Sequence, residues 1–339
     1  MKDKENDKFV YRLLIVGYLI VLNCCTTCGS GPHETRTSKG RKTEKPGTRS
    51  EKSVLSAESE SNASDTINTY TLFHPDQIIE LPNRLKEISG ITDISDYELG
   101  CVQDEDGIIF IYDLKQQKIA RKIRFGRSGD YEGLTRVGNK YFVLRSDGLL
   151  YEIMTSKGKT TTETHKTGLP TKNNEGLGFD PLHNRLLIAP KSRLGKGREY
   201  KDTRAIFSYD LESKEFLSEP VFKFSIRAIQ QYAEARGQDI PTRHKKKGEK
   251  RTRSALRFMP SSIAVHPMTG EFFVLSAIDH VLATFDKDGG VTGYARLNPK
   301  LFRQPEGITF LSTGDMVIAN EGAGNEPTLL FFKWKGKPK

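Results

Sequence analysis

Cysteine is scarce in this chain of 339 residues. There are four, and three of them cluster at Cys24, Cys25 and Cys28. Only Cys101 lies in the body of the chain, so no internal disulfide framework is available there. It reads as a small buried hydrophobe in a strand. Long apolar runs are missing as well. The longest, "LLIVGYLIVL" from Leu13 to Leu22, is ten residues. As a helix it rises roughly 15 Å, about half the hydrocarbon core of a bilayer, too short for an ordinary membrane span. Familiar catalytic signatures are absent too: there is no GxSxG elbow and no GxxxxGK[ST] phosphate loop. "GRSGD", Gly126 to Asp130, has the wrong spacing and no positioned histidine. No pair of histidines has zinc-ligand spacing. His183 and His266 sit in the turn sequences "DPLHN" and "HPMTG", which leaves His280, after Asp279, as the one histidine near the face derived below.

Apolar residues make up 36% of the chain, a low share that a polar segment diluting an ordinary domain explains. That segment lies near the N-terminus. "MKDKENDKFVYR" and the apolar run after it read as the charged and hydrophobic regions of a signal peptide. "NCCTTCGSG" follows and resembles a bacterial lipoprotein signal. Leu22 stands three before Cys25, the spacing of a lipobox, so residues 1–25 are the expected signal and Cys25 the expected site of lipidation. Cys24 and Cys28 are rivals, and a plain secretory signal is the alternative. Residues 26–68 have almost no apolar side chains and read as a disordered tether. The net charge of +10 fits a basic tail and a basic loop, or attraction to anionic lipid or nucleic acid.

From residue 69 to 339 the texture changes to short β-type runs, such as "IIFIYDL", "KYFVLR" and "EFFVLSA", separated by turn residues. One motif recurs: "EISGIT" at Glu87, "DYEGLT" at Asp130, "NEGLGF" at Asn174, "PSSIAV" at Pro260 and "QPEGIT" at Gln304. Anchored on Gly90, Gly133, Gly176, Ser262 and Gly307, the intervals are 43, 43, 86 and 45 residues. A period near 43 with four strands per unit predicts an all-β five-bladed β-propeller. The long interval leaves six blades as the alternative. A helical and then basic insertion, 226–257, fills it instead: Arg227 to Arg257 holds ten Lys/Arg against three Asp/Glu. Ile226, Ile229, Tyr232 and Ala233 are expected to pack its helix on the propeller. The last unit lacks a fourth strand, and "QIIELP" (Gln77 to Pro82) has no blade of its own. It is expected to complete the last sheet and close the ring.

In a propeller the first strand of each blade lines the central channel, so the motif gathers Ser89, Glu132, Glu175, Ser261 and Glu306 at one mouth. The ends of the second strands reach the same face, with Asp104, Arg145, Asp147, Lys191, Ser276, Asp279, Asn320 and Glu321. Converging carboxylates raise one another's pKa or recruit a cation, and oxygen-only ligands select a hard ion such as Ca²⁺. The expected metal ligands are Glu132, Glu175, Glu306, Glu321 and Asn320. Arg145, Asp147, Lys191, Ser276 and Asp279 are expected to bind a ligand at the channel mouth. Two other readings stay open: Lys191 and Arg145 pair with the acids, or the acids hold blades together through backbone N–H groups.

The combination of "SGIT", "YEGLT", "NEGLGFDPLHNRLLIAPK", "SSIAVHPMTGEFFVLS" and "QPEGITF…GDMVIANE" resembles the SdiA-regulated family of bacterial β-propellers, over about residues 77 to 335. The resemblance implies a five-bladed propeller with distant NHL-repeat similarity and a bound calcium, and no settled activity. The sequence departs from that pattern in the basic insertion and at Ser261, where an acid would complete the ring. The expectation is a membrane-anchored envelope lipoprotein facing the periplasm, whose calcium-binding propeller is a binding or scaffold module. The alternative is a metal-dependent phosphoesterase or lactonase-like hydrolase. Expected partners are the membrane, through the lipid, and an unknown protein, glycan or small molecule. The chain is expected to be monomeric and to bind no nucleic acid.

Overall fold

Runs such as "RLLIA" and "IIFIYD" are too short for helices and rich in residues that pack well on a pleated surface. They form middle strands of four-stranded antiparallel sheets. The structure is a computed structural model in which residues 66–242 and 254–336 are described. The signal sequence, Cys25 and nearly all of the tether lie outside these residues.

Five such sheets are present among the described residues; four run in chain order from the channel outward, and the fifth ends on a strand from the start of the folded part. The innermost strands are Ile88–Ser95, Tyr131–Val137, Asn174–Asp180, Ser262–Val265 and Pro305–Phe310. Each innermost strand contacts the next, and the fifth contacts the first, so the ring is closed. This is a five-bladed β-propeller. The predicted closure is present: Gln77–Glu80 pairs antiparallel with Thr328–Phe332 as the outer strand of the fifth blade. Its Ile79 is buried against Leu329 and Val317.

The core is a set of wedges between neighbouring blades. Val102, Ile109 and Ile111 of the first blade, for example, pack against Leu134, Val143 and Ile153 of the second. Near the channel the wedge narrows until only glycine fits. A Cβ on Gly90 would lie 2.8 Å from the backbone nitrogen of Leu134, and one on Gly133 would lie 2.6 Å from the Leu177 Cβ. The motif glycines therefore set how closely blades approach.

The insertion begins with the expected helix, Ile226–Glu234. Ser225 caps it by accepting from the Ala228 N–H at 2.9 Å. Ile226, Ile229 and Ala233 are buried in the wedge of the third and fourth blades, and Tyr232 packs at its edge. A bridge between Thr242 and Ser254 brackets residues 243–253, which lie outside those described. The insertion occupies the sequence a sixth blade would need.

The folded part starts earlier than the boundary at 69 read from composition. Thr66–Ile67 pairs with Tyr70–Thr71. Ile67, Tyr70 and Leu72 are buried among side chains of the fourth and fifth blades. The Tyr70 hydroxyl meets His266 Nε2 at 2.7 Å and donates to the Gly314 carbonyl. Three apolar side chains dock this segment, too few to register in a composition window. His266 also holds its own turn, its Nδ1 accepting from the N–H groups of Met268 and Thr269 at 3.1 Å. Burial pushes its pKa down to about 4, so it is neutral.

Candidate functional site

In four of the five innermost strands the ladder skips one residue, between Ile88 and Gly90, Tyr131 and Gly133, Asn174 and Gly176, and Pro305 and Gly307. The skipped residues are Ser89, Glu132, Glu175 and Glu306. A bulge leaves one residue unpaired and re-aims its side chain. Here it turns all four into one cavity of about 180 Å³, lined also by Glu87, Asp104, Lys191, Gln304 and Glu321.

Serine and glutamate do different work at this position. The Ser89 hydroxyl donates to the Tyr131 carbonyl at 2.7 Å, and the Ser261 hydroxyl to the Pro305 carbonyl at 2.9 Å, each tying its blade to the next. The glutamates instead put charge into the cavity. Six carboxylates line it against one ammonium. Lys191 Nζ lies 2.6 Å from Glu175 Oε1. Glu175 is 4% exposed, and its other oxygen, Oε2, is buried without a hydrogen-bond partner, as is Asp104 Oδ1. Gln304 donates to Glu321.

Burial, reinforced by Glu175 and Asp130, pushes the Glu132 carboxyl up to about 8. Burial and Glu175 push Glu306 up to about 7, and burial with Glu87 pushes Asp104 up to about 6. Glu175 and Glu321 are also raised by burial. Burial opposes charge on Lys191, but Glu175 and Glu306 outweigh it and raise its pKa. Glu132 and Glu306 thus hold protons near neutral pH unless a cation replaces them.

Glu132, Glu175, Glu306, Glu321 and Lys191 are brought together; the other expected site residues are not. Arg145 folds onto its own turn, Nη2 lying 2.7 Å from Asp147 Oδ2 and Nη1 donating to the Tyr151 hydroxyl at 3.1 Å. Its short link to Asp147 wins over the more distant acids of the mouth. Asn320 does not line the cavity: its side-chain NH2 donates to the Leu301 carbonyl and to Thr328 Oγ1 at 3.2 and 3.0 Å, and its Oδ1 is buried without a hydrogen-bond partner. Ser276 donates to Asp279 at 2.9 Å in the fourth blade, away from the acid cavity. His280 meets the Arg303 carbonyl at 3.1 Å and does not line the mouth. Cys101 is buried, and burial pushes its thiol up to about 12, as a core hydrophobe requires.

A second acidic group lies elsewhere. Glu152, Glu163 and His165, on the outer strands of the second blade, have donor atoms within 4.8 Å of one another, the one such group among the described residues. Lys140 and Lys214 already neutralise Glu152, at 2.5 and 3.1 Å. The mouth carboxylates are spread more widely but have one lysine among six.

No protein-family model matches the chain, and no curated protein matches it. Among solved structures it is similar to a glutaminyl cyclase of Myxococcus xanthus, at TM-score 0.48 and 12% identity over 77% of this chain and 95% of that one. It is also similar to a luciferin-regenerating enzyme, at TM-score 0.43 and 9% identity over 78% and 96%. A Bacteroides thetaiotaomicron protein of unknown function gives TM-score 0.44 and 10% identity over 69% and 52%. At these identities the likeness concerns fold and carries nothing about the mouth.

Glu87 and Gln304 line the cavity but do not stand out in the sequence reading. The signal that finds them is local: each lies two residues before the bulged position, and a strand's period of two puts both on one side. Asp104, third of the residues not singled out as ligands, directly follows the second strand Glu98–Gln103 and reaches the mouth from the start of its turn.

Proposed function

We propose that the acid-lined mouth binds calcium and that the propeller is a calcium-stabilised binding module, held at a bacterial cell envelope by a lipid on Cys25. The observation that carries this reading is the pair of orphaned carboxylate oxygens, Glu175 Oε2 and Asp104 Oδ1, in a cavity with six acids and one lysine. A hard cation with a demand for six to eight oxygens suits that donor set. Glu132, Glu175, Glu306 and Glu321 are its expected ligands, with Asp104 and Glu87 beside them. Lys191 supplies the remaining charge balance. Membership of the SdiA-regulated propellers is part of the same proposal and rests on the motif pattern across all five blades. So does the periplasmic location, which rests on the N-terminal sequence.

The test is calorimetric titration of Ca²⁺ into chelator-treated protein. Saturable binding that Glu175→Gln weakens by about tenfold or more supports the reading. Absence of binding, with a melting temperature indifferent to chelator, ends it.

A second reading is hydrolysis. Glu306 near 7 and Glu132 near 8 hold the pKa range in which a carboxyl serves as general acid or base at neutral pH. A bound calcium would add Lewis acidity toward a phosphoryl or carbonyl oxygen. Turnover of phosphoester or lactone substrates that is lost in Glu132→Gln would make the protein an enzyme.

A further inference from the structure

Beside the acidic mouth, and sharing Lys191 with it, lies a cavity of opposite character. Its volume is about 390 Å³, and its charged lining is Lys191, Arg193, Lys201, Arg204 and Arg257, without a carboxylate. Arg204 is the centre of the argument. It is 3% exposed, in the strand Thr203–Asp210 of the third blade. Its guanidinium is held as a fork by three carbonyls: Nε donates to Phe258 at 2.8 Å, Nη1 to Thr203 at 2.9 Å and Nη2 to Arg257 at 2.7 Å. Carbonyls take three of its five N–H groups, and among the described residues no carboxylate is within ion-pair distance of it. Burial, then the charge of Arg193, lowers its pKa.

Asp202 and Asp279 act on Arg204 only through space, from beyond ion-pair distance, and make their hydrogen bonds to other groups. Asp202 accepts from the Arg227 N–H at 3.1 Å. Asp279 accepts from Ser276 Oγ at 2.9 Å and from the Arg257 N–H at 3.2 Å. Arg257 itself reaches only to 4.0 Å from Asp279 Oδ1. Arg193 and Lys201 make no ion pair among the described residues. A buried charge is normally paired; of the five cations Lys191 pairs with Glu175 and Arg257 lies near Asp279, while Arg193, Lys201 and Arg204 have no ion pair among the described residues, an excess that an anion from outside would balance.

We propose that this cavity binds a phosphoryl group, carried either by a soluble phosphate compound or by a lipid headgroup. A phosphoryl dianion matches several converging cations, and arginine forks bind its oxygens in pairs. The cavity is larger than a phosphate, and Ile226, Leu256 and Met259 give the rest of the ligand an apolar wall. The proposal goes beyond the calcium reading and does not depend on it.

The test is calorimetric titration of inorganic phosphate into the protein, at fixed ionic strength with chelator present. It is paired with sedimentation on phosphatidylcholine vesicles with and without about one-third phosphatidylglycerol. The variant is Arg193→Ala combined with Lys201→Ala, both exposed side chains, with its melting temperature checked against the parent. Saturable phosphate binding, weakened about 10- to 100-fold in the variant, is the expected result, since each lost charge-assisted contact is worth about a factor of ten. Vesicle binding lost in the same variant assigns the headgroup as the source; phosphate binding without vesicle binding assigns a soluble compound. No saturable phosphate binding, or binding that the variant leaves unchanged, overturns the proposal. Because chelator is present throughout, a failure of the calcium reading leaves this result intact.

Discussion

Replacing Glu132 with glutamine removes an ionisable group and preserves the side-chain shape, so it isolates the electrostatics of the mouth. Below pH 4.5 the carboxyl is protonated in both the folded and the unfolded chain and contributes no difference. Between 4.5 and about 8 the folded protein keeps a proton that the unfolded chain has released. Folding then takes up a proton, and stability falls as pH rises, levelling off above about 8. At 1.36 kcal/mol per pKa unit the full change is about 5 kcal/mol. Glu132 keeps partial access to solvent, which screens it, so about 2–3 kcal/mol is the expected size. Urea denaturation in chelator from pH 4.5 to 9 measures this. Glu132→Gln should match the parent at the acid end and exceed it by about 2–3 kcal/mol at pH 9. Parallel stability curves, or a variant weaker than the parent at pH 9, would refute the electrostatic account of the mouth.

Calcium should reverse the slope. Protons and the cation compete for Glu306 and Glu132, so Ca²⁺ affinity should rise between pH 6 and 8.5 by titration calorimetry, and a hundredfold excess over Kd should add about 2.7 kcal/mol of stability. Ile79→Ala, in the strand that closes the ring, should cost about 2–5 kcal/mol in urea denaturation, because Ile79 is 2% exposed in the fifth blade's sheet. Gly133→Ala should destabilise by about 1–3 kcal/mol, since its Cβ would meet Leu177 Cβ and the Glu175 carbonyl at 2.6 and 2.7 Å. A neutral Gly133→Ala would mean that the blades are not in tight contact at the motif.

The repeat was legible because each blade solves the same packing problem with the same residues. Glycine is needed where neighbouring innermost strands touch, and the residue before it faces the channel. Gln77–Glu80 was legible as the closing strand because the last unit was one strand short. The expected ligands at the ends of second strands were less secure. Arg145 and Asn320 have the right address, but each makes its bonds away from the acids: Arg145 to Asp147, and the Asn320 side-chain NH2 to Leu301 and Thr328. Nothing in the linear order distinguishes a polar side chain facing the channel from one folded onto its own turn. The hairpin Thr66–Thr71 was hidden for a related reason, since its anchor Tyr70 finds its partners at His266 and Gly314, far along the chain.

Sequence alone determines what depends on local period and on residue identity within one unit: the strands, the propeller repeat, the closing strand and three glutamates at equivalent places. Tertiary structure alone decides what depends on distance between units. It turns the bulged glutamates toward a shared cavity and gives them a single lysine. It also buries Arg204 beside other cations with no carboxylate within ion-pair distance. Charge balance at a point is a sum over every blade that reaches it, and no single repeat contains that sum.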